Sequence, residues 1–217
     1  ISGIIARDSD KKYSIERYNR IQGFGSIKGY YDKIHLVPFG EYIPLNRYVG
    51  KILDIIGINL LNTLAGKNST NLIVGNVIIS PSICYEIAFS DLVRKTAKSS
   101  NLLVTISNDT WFGSSIGPYQ HLEIAQSRAL EHQKSLIRAT NSGISAIIKR
   151  NGKILKKQGF FKEKQLKGEV KIYEGRTPFS FVGNYVIYGF IIMIYMYLIY
   201  LKITYVLKIN KYENKQT

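Results

Sequence analysis

A long uncharged run lies near the carboxyl end of this 217-residue sequence. No Asp, Glu, Lys or Arg occurs from residue 177 to residue 201, and large apolar and Tyr side chains fill almost all of 185–201. A helix of about 20 such residues crosses the ~30 Å hydrocarbon core of a bilayer. We therefore predict a transmembrane helix over 177–201. A helix buried in the core of a soluble domain is the alternative that the sequence leaves open.

The tail 202–217 is basic. It carries one acid, Glu213, and four lysines: Lys202, Lys208, Lys211 and Lys215. Positive charge next to a membrane helix marks the cytoplasmic side. We expect the tail in the cytoplasm and the domain 1–176 on the opposite side of the membrane.

The whole chain has a formal charge of +15, from 30 basic and 15 acidic side chains. Such an excess suits an anionic membrane surface or nucleic acid. The basic residues are spread out and form no block of five or more, so we predict no nucleic-acid partner. A single cysteine excludes an internal disulfide and reveals nothing about the redox compartment.

The chain begins with Ile1 rather than Met, within a run that looks like the inside of a strand. We interpret it as the carboxyl-terminal part of a longer protein. A trimmed sequence or an unusual start codon would give the same beginning.

Strand-like and helix-like segments alternate between these ends. The predicted strands are 2–6, two within 21–31, 72–79, 102–107, 136–140, 144–149, 154–161 and 169–173, and the predicted helices are 47–58, 86–98 and 121–135. Asn151-Gly152 predicts a hairpin. This order predicts a layered α/β or α+β domain, whose functional loops follow the carboxyl ends of strands.

Cys84, the only cysteine, lies between the strand-like run 72–79 and the helical pattern 86–98. A strand-to-helix turn can hold a nucleophile at the edge of a sheet beside backbone N–H groups. A lone cysteine is also commonly a small buried apolar residue. The local context alone leaves both interpretations open.

Several side chains are candidates for activating a thiol: Lys33, His35, His121 and His132. A cysteine–histidine pair of the protease type is one option. His121 and His132 fall on or beside a predicted helix, where a solvated or hydrogen-bonded structural role is commoner. The three histidines and one cysteine match no zinc pattern, and no Gly-rich phosphate loop follows a strand.

Five segments in order carry a family resemblance. They are YDKIHLVPFGEYIPL (31–45), ICYEI (83–87), ISNDTWFG (106–113), GPYQH (117–121) and RATNSG (138–143). With them the chain resembles the bacterial apolipoprotein N-acyltransferases, which are membrane-bound members of the nitrilase (carbon–nitrogen hydrolase) superfamily. The likeness covers nearly the whole chain but only the later half of a complete family member.

The resemblance implies a partial αββα sandwich over 1–176 with a Glu–Lys–Cys catalytic set. Cys84 matches the nucleophile, Lys33 the catalytic lysine and Glu41 a second required glutamate. Tyr85 and Glu86 match functional residues beside the nucleophile. The glutamate that serves as general base lies upstream in the family and would precede the first residue here.

Asn108 and Trp111 are expected to line the substrate site, and the Trp111 loop is a candidate lid. The implied reaction moves a fatty acyl chain from a phospholipid to the N-terminal amine of a diacylglyceryl-cysteine lipoprotein, through a cysteine thioester. No metal or organic cofactor is expected. The implied place is the bacterial inner membrane, with the catalytic domain in the periplasm.

Two other functions stay open at this point. One is a nitrilase-type amidase with a small substrate, and the membrane helix and the FGEYIP context argue against it. The other is a truncated membrane remnant without turnover, which the upstream position of the general base favours. We expect residues 1–217 alone to be inactive.

Overall fold

Two β-sheets and a layer of helices make up the first of two compact units, Ile1–Ser180. The computed structural model describes residues 1–7, 17–44, 63–160 and 165–213. The helix predicted over 47–58 lies outside these residues. The smaller sheet is antiparallel and consists of β1 (Ser2–Arg7), β2 (Arg17–Gln22) and β3 (Tyr30–Asp32).

The larger sheet has six strands in sequence order. They are β4 (Leu72–Val74), β5 (Val77–Ile83), β6 (Leu102–Ser107), β7 (Leu136–Thr140), β8 (Ser145–Ile148) and β9 (Ile154–Gln158). Only β5, β6 and β7 are parallel, and the outer pairs are antiparallel. Parallel neighbours need crossover connections. Here α1 (Ser90–Ala97) joins β5 to β6, and α2 (Gly117–His132) joins β6 to β7.

The central strand β6 is buried on both faces because other layers cover it on both sides. Leu103 packs in a core cluster with residues of α1 and α2, such as Val93 and Leu122. Leu102 and Val104 point the other way, into a second cluster that includes residues of β2 and β3. The described layers are therefore helix, six-stranded sheet and three-stranded sheet, as a layered α/β domain requires.

Several predicted elements differ from the observed ones. The run 72–79 is two strands joined by a turn at Gly75, whose φ of +53° suits glycine. The helix predicted over 86–98 is a 3₁₀ helix, Cys84–Ala88, and then α1, separated by an extended Phe89. The strand predicted over 169–173 is wrong, because residues 165–176 form no regular element. Tyr173 there donates its N–H to the carbonyl of Asn101 at 3.3 Å instead of joining a ladder.

The second unit is Phe181–Thr217. A short helix, α3 (Pro178–Val182), ends near Gly183, whose φ of +53° is typical of a helix terminus. The long helix α4 then runs over Tyr185–Glu213. Its segment Tyr185–Tyr205 is 21 residues long, and an 18-residue window within it has a mean hydropathy of 2.0 with none of that window buried. Among the described residues, this is the one helix long and apolar enough to cross a membrane, and it begins later than the uncharged run itself.

Candidate active site

A buried carboxylate joins two segments that are far apart in the sequence. Glu86 is 0% exposed. Its Oε1 accepts hydrogen bonds from the N–H groups of Ile34 (2.7 Å) and His35 (3.0 Å) and from the hydroxyl of Tyr31 (2.9 Å). Its Oε2 accepts from the N–H of Ile83 at 2.8 Å. The amide after Lys33 and the amide before Cys84 thus bind one side chain.

The charge state of Glu86 follows from these partners. Burial raises the pKa of Glu86, and the hydrogen bonds from the three amides and Tyr31 oppose that change. Burial and the neighbouring carboxylate also raise the pKa of Tyr31, so its hydroxyl remains a donor. Four donors converge on two oxygens, an arrangement that only the ionised carboxylate uses in full.

Lys33 and Glu41 form an ion pair in the loop after β3. The side chain of Lys33 is 1% exposed, and its Nζ lies 2.8 and 2.7 Å from the two carboxylate oxygens of Glu41. Glu41 also accepts from the N–H of Val37 at 2.7 Å and from the amide of Asn19. A buried ammonium needs such a partner. The pair therefore fixes the position of the cation.

Cys84 lies at the turn between β5 and the 3₁₀ helix Cys84–Ala88 and is partly exposed. Its φ of +52° is in the left-handed region, which is uncommon for a residue other than glycine. Strained backbone of this kind occurs at nucleophiles held on sharp strand-to-helix turns. The predicted strand-to-helix position of Cys84 is thus observed.

The aromatic side chains beside Cys84 pack on one another. The ring of Tyr85 meets Phe89 edge to face at 4.9 Å between centroids, and Tyr85 is 44% exposed. The imidazole of His35 stacks on the same Phe89 at 3.7 Å.

The two histidines of α2 have different surroundings. His121 is 5% exposed, and its Nε2 lies 3.1 Å from the carbonyl oxygen of Cys84. His132 is 1% exposed, and its Nδ1 lies 3.1 Å from the hydroxyl of Ser180. Both have the hydrogen-bonded, buried role expected of helix histidines, but only His121 reaches the Cys84 turn.

The loop after β6 presents the two predicted substrate-lining residues. The side chain of Asn108 accepts from the N–H (3.3 Å) and the hydroxyl (2.6 Å) of Thr110 and so begins a 3₁₀ helix, Asp109–Phe112. Trp111 is 80% exposed. No cluster of His, Cys, Asp and Glu suited to a metal occurs in the described part of the chain.

Residues 1–176 match the carbon–nitrogen hydrolase family. The chain belongs to this family.

The chain is similar to curated proteins named apolipoprotein N-acyltransferase. It is 41% identical to the one from Pasteurella multocida over 184 residues, 84% of this chain and 34% of the relative. It is 41% identical to the one from Wigglesworthia glossinidia brevipalpis over 209 residues, 94% of this chain and 42% of the relative. The chain thus spans well under half the length of these relatives.

Solved structures of the superfamily share the fold. A carbon–nitrogen hydrolase from Helicobacter pylori G27 aligns with a TM-score of 0.53 and 15% identity, over 72% of this chain and 56% of that one. A mutant of the Nesterenkonia AN1 amidase aligns with a TM-score of 0.51 and 17% identity, over 73% and 56%. The predicted nitrilase-like fold is confirmed.

The sequence alone assigns no role to Asp109 or Arg138, although both lie in the motifs that carry the family resemblance. Nη2 of Arg138 donates to Oδ2 of Asp109 at 2.6 Å, and both side chains are 0% exposed. Their pairing depends on β6 and β7 being parallel neighbours, with Thr105 opposite Arg138. The signal available in the sequence was an Asp and an Arg near two predicted buried strands.

Replacing Glu86 with glutamine is expected to destabilise the protein by about 3 kcal/mol, because in either orientation the amide nitrogen would face at least one N–H donor. Thermal unfolding of the detergent-solubilised protein measures the change as a lower Tm, by roughly 6–12 °C. Glu123→Gln on the exposed side of α2 is the matched control, with an expected effect within about 0.5 kcal/mol. Equal Tm values for the two variants would contradict the assigned role of Glu86.

Proposed function

We propose that this chain is the carboxyl-terminal part of an apolipoprotein N-acyltransferase. The proposed reaction moves a fatty acyl chain from a phospholipid to the amine of a diacylglyceryl-cysteine at the N-terminus of a lipoprotein. The observation that carries the chemistry is the buried carboxylate of Glu86, which binds the amide next to Lys33 and the amide next to Cys84. The similarity to N-acyltransferases supports the choice of substrates.

In the first proposed step, the Cys84 thiolate attacks the ester carbonyl of the phospholipid. A C–S bond forms, the ester C–O bond breaks, and a lysophospholipid leaves with a proton on its oxygen. In the second step, the lipoprotein amine attacks the thioester. The C–N bond of the amide forms, the C–S bond breaks, and the proton that the amine loses restores the thiol of Cys84.

Lys33 is the proposed electrophilic partner. Each step passes through a tetrahedral oxyanion, and a fixed cation or N–H donor at that oxygen lowers the barrier. The ion pair with Glu41 supports this role because it holds a buried ammonium in one place before substrate arrives. Tyr85 and Glu86 support the nucleophile turn, and Asn108 and Trp111 line the substrate site in this proposal.

We place the general base on a glutamate that precedes this chain in the complete protein. The chain covers only 34% of the Pasteurella relative, which leaves room for that residue. Residues 1–217 alone are then expected to lack acyl transfer. A normal rate from them would overturn this placement of the base.

The apolar helix α4 suits a lipid-modifying enzyme because both substrates reside in a membrane. We propose that the apolar part of α4 within 177–201 crosses the bacterial inner membrane, with 1–176 in the periplasm and 202–217 in the cytoplasm. In intact cells, a membrane-impermeant amine reagent should then modify lysines of 1–176 but not those of the tail. Modification of the tail lysines alone would reverse the orientation.

The function is tested with the complete protein in membranes. The substrates are a phospholipid with a labelled sn-1 chain and a synthetic diacylglyceryl-cysteine peptide. The expected product is the N-acylated peptide, formed only when both are present and with ping-pong kinetics. Hydrolysis of small amides with release of ammonia, and no peptide acylation, would favour an amidase. Neither reaction would favour a protein without turnover.

A further inference from the structure

A buried chain of hydrogen bonds ends on the backbone of Cys84. Nε2 of His121 lies 3.1 Å from the carbonyl oxygen of Cys84. Its Nδ1 lies 3.1 Å from Oδ1 of Asp109 and 3.1 Å from Nη2 of Arg138. The hydroxyl of Ser107 donates to the same Oδ1 at 2.5 Å. These charged and polar groups are all buried.

The topology explains why they meet. Cys84 follows β5, Asp109 follows β6, and Arg138 lies on β7, and these are the three parallel strands of the large sheet. His121 is in the first turns of α2, which connects β6 to β7. Each residue comes from a different element, so no single stretch of sequence contains the arrangement.

The partners determine where His121 holds a proton. The carbonyl oxygen of Cys84 only accepts hydrogen bonds, so Nε2 must carry the hydrogen. Nδ1 either donates to Asp109 or accepts from Arg138, and both states keep the Nε2–H. With its Nε2 proton directed at a carbonyl, His121 does not act as the base for the Cys84 thiol.

Asp109 and Arg138 stabilise this orientation of the ring. Burial would raise the pKa of Asp109, but the hydrogen bond from His121, the charge of Arg138 and the hydroxyl of Ser107 outweigh it and lower the pKa to about 2. Burial lowers the pKa of Arg138, and Asp109 opposes that effect. Nε of Arg138 also donates to the carbonyl of Ile144 at 3.2 Å. The ring of His121 therefore contacts the ionised carboxylate of Asp109, which Ser107 and Arg138 hold in place by hydrogen bonds.

We propose that His121 is a positioning residue for the nucleophile, which clamps the Cys84–Tyr85 peptide through its Nε2–H. The clamp holds Cys84 at its positive φ and, by donating to the carbonyl, makes the N–H of the same peptide a stronger donor toward an oxyanion. This inference rests on the proposed nucleophilic role of Cys84. Asp109 and Arg138 act through His121.

The test compares His121→Ala and His121→Gln in the complete membrane-bound protein. The amide of glutamine keeps an N–H donor at the distance of Nε2, whereas alanine removes it. Two rates are measured: the formation of the acyl-thioester, and the alkylation of Cys84 by iodoacetamide, which peptide mass mapping follows. For His121→Ala we expect both rates to fall by about 10- to 100-fold. For His121→Gln we expect most of both rates to return, and KM for the phospholipid to stay unchanged in both variants.

His132→Gln is the matched control, since His132 is equally buried on the same helix but contacts Ser180. It should leave both rates near those of the wild type. An equal loss in His132→Gln, or no loss in His121→Ala, would overturn the inference. If His121→Ala does not fold, ¹⁵N NMR of the wild-type ring decides: Nε2 should be protonated at neutral pH, and an Nδ1-only tautomer would overturn the clamp.

The experiments distinguish a failure of the His121 clamp from a failure of the proposed acyl transfer. Normal acyl transfer in His121→Ala would remove the clamp and leave the proposed function intact. A wild-type protein that never transfers acyl groups, but whose Cys84 alkylation depends on His121 as described, would remove the function and leave the clamp.

Discussion

Cys84→Ser is expected to abolish the acyl-enzyme intermediate and to lower acyl transfer by at least roughly 10³-fold, as the loss of a covalent nucleophile does. A serine hydroxyl is a much weaker acid than a thiol, so the proposed base deprotonates it far less readily and it attacks an ester far more slowly. The substitution changes one atom and keeps the β-carbon, so the strained turn is retained. The measurement is the yield of a hydroxylamine-labile acyl adduct on the peptide containing residue 84.

Ser82→Ala is the control for this substitution. Ser82 is buried on β5, two residues before Cys84, and its change should leave the adduct and the rate near wild type. An adduct of normal yield in Cys84→Ser would remove Cys84 as the nucleophile. Cys84 would then be a small apolar side chain with a structural role in the turn.

Lys33→Ala is expected to lower acylation by roughly 10²–10³-fold, the usual loss when one oxyanion donor is removed. The ammonium is 1% exposed and held by both oxygens of Glu41, so water cannot easily replace it. The loss should appear in the rate of thioester formation, measured in a single turnover on the folded fraction. The variant also leaves Glu41 without its cation, so a lower Tm is expected as well.

Lys134→Ala separates the two effects. Lys134 is also 1% exposed, and its Nζ donates to the carbonyl of Ala97 at the end of α1, on the helix layer of the fold. Its removal should lower the Tm but leave the rate per folded molecule unchanged. If both lysine variants acylate at equal rates, the proposed role of Lys33 falls.

Local pattern predicted the buried strands well. β6 and β7 have the predicted bounds, and β6 is a short, largely apolar run that is buried on both faces. The segment 169–173 alternates polar and apolar residues, but no strand in the described part of the chain pairs with it, and Ile172 is 46% exposed. Strand propensity describes a side chain that fits a half-buried sheet, and tertiary position overrides it here.

In the candidate site too, contacts between residues close in sequence could be predicted, and contacts set by the tertiary structure could not. The pairing of Lys33 with Glu41 is local in sequence. The N–H of Glu41 donates to the carbonyl of Val37 at 2.9 Å, and this turn brings Glu41 back towards Lys33. The family motif therefore contained both partners. The contacts of His121 with Asp109, Arg138 and Cys84 are distant in sequence and follow only from strand order. The helical pattern correctly predicted that His121 is hydrogen-bonded, but it did not predict the partners.

The carboxylate of Glu86 makes the site a reporter of folding. Its bonds reach back 52 residues to Ile34 and 55 to Tyr31, so they form only after the two sheets have docked. The amide protons of Ile34, His35 and Ile83 should therefore exchange with deuterium together, at the rate of global opening rather than of local fraying. Because the segments of Lys33 and Cys84 are both bound to one buried carboxylate, we expect the two side chains to reach their relative positions only in the fully folded protein.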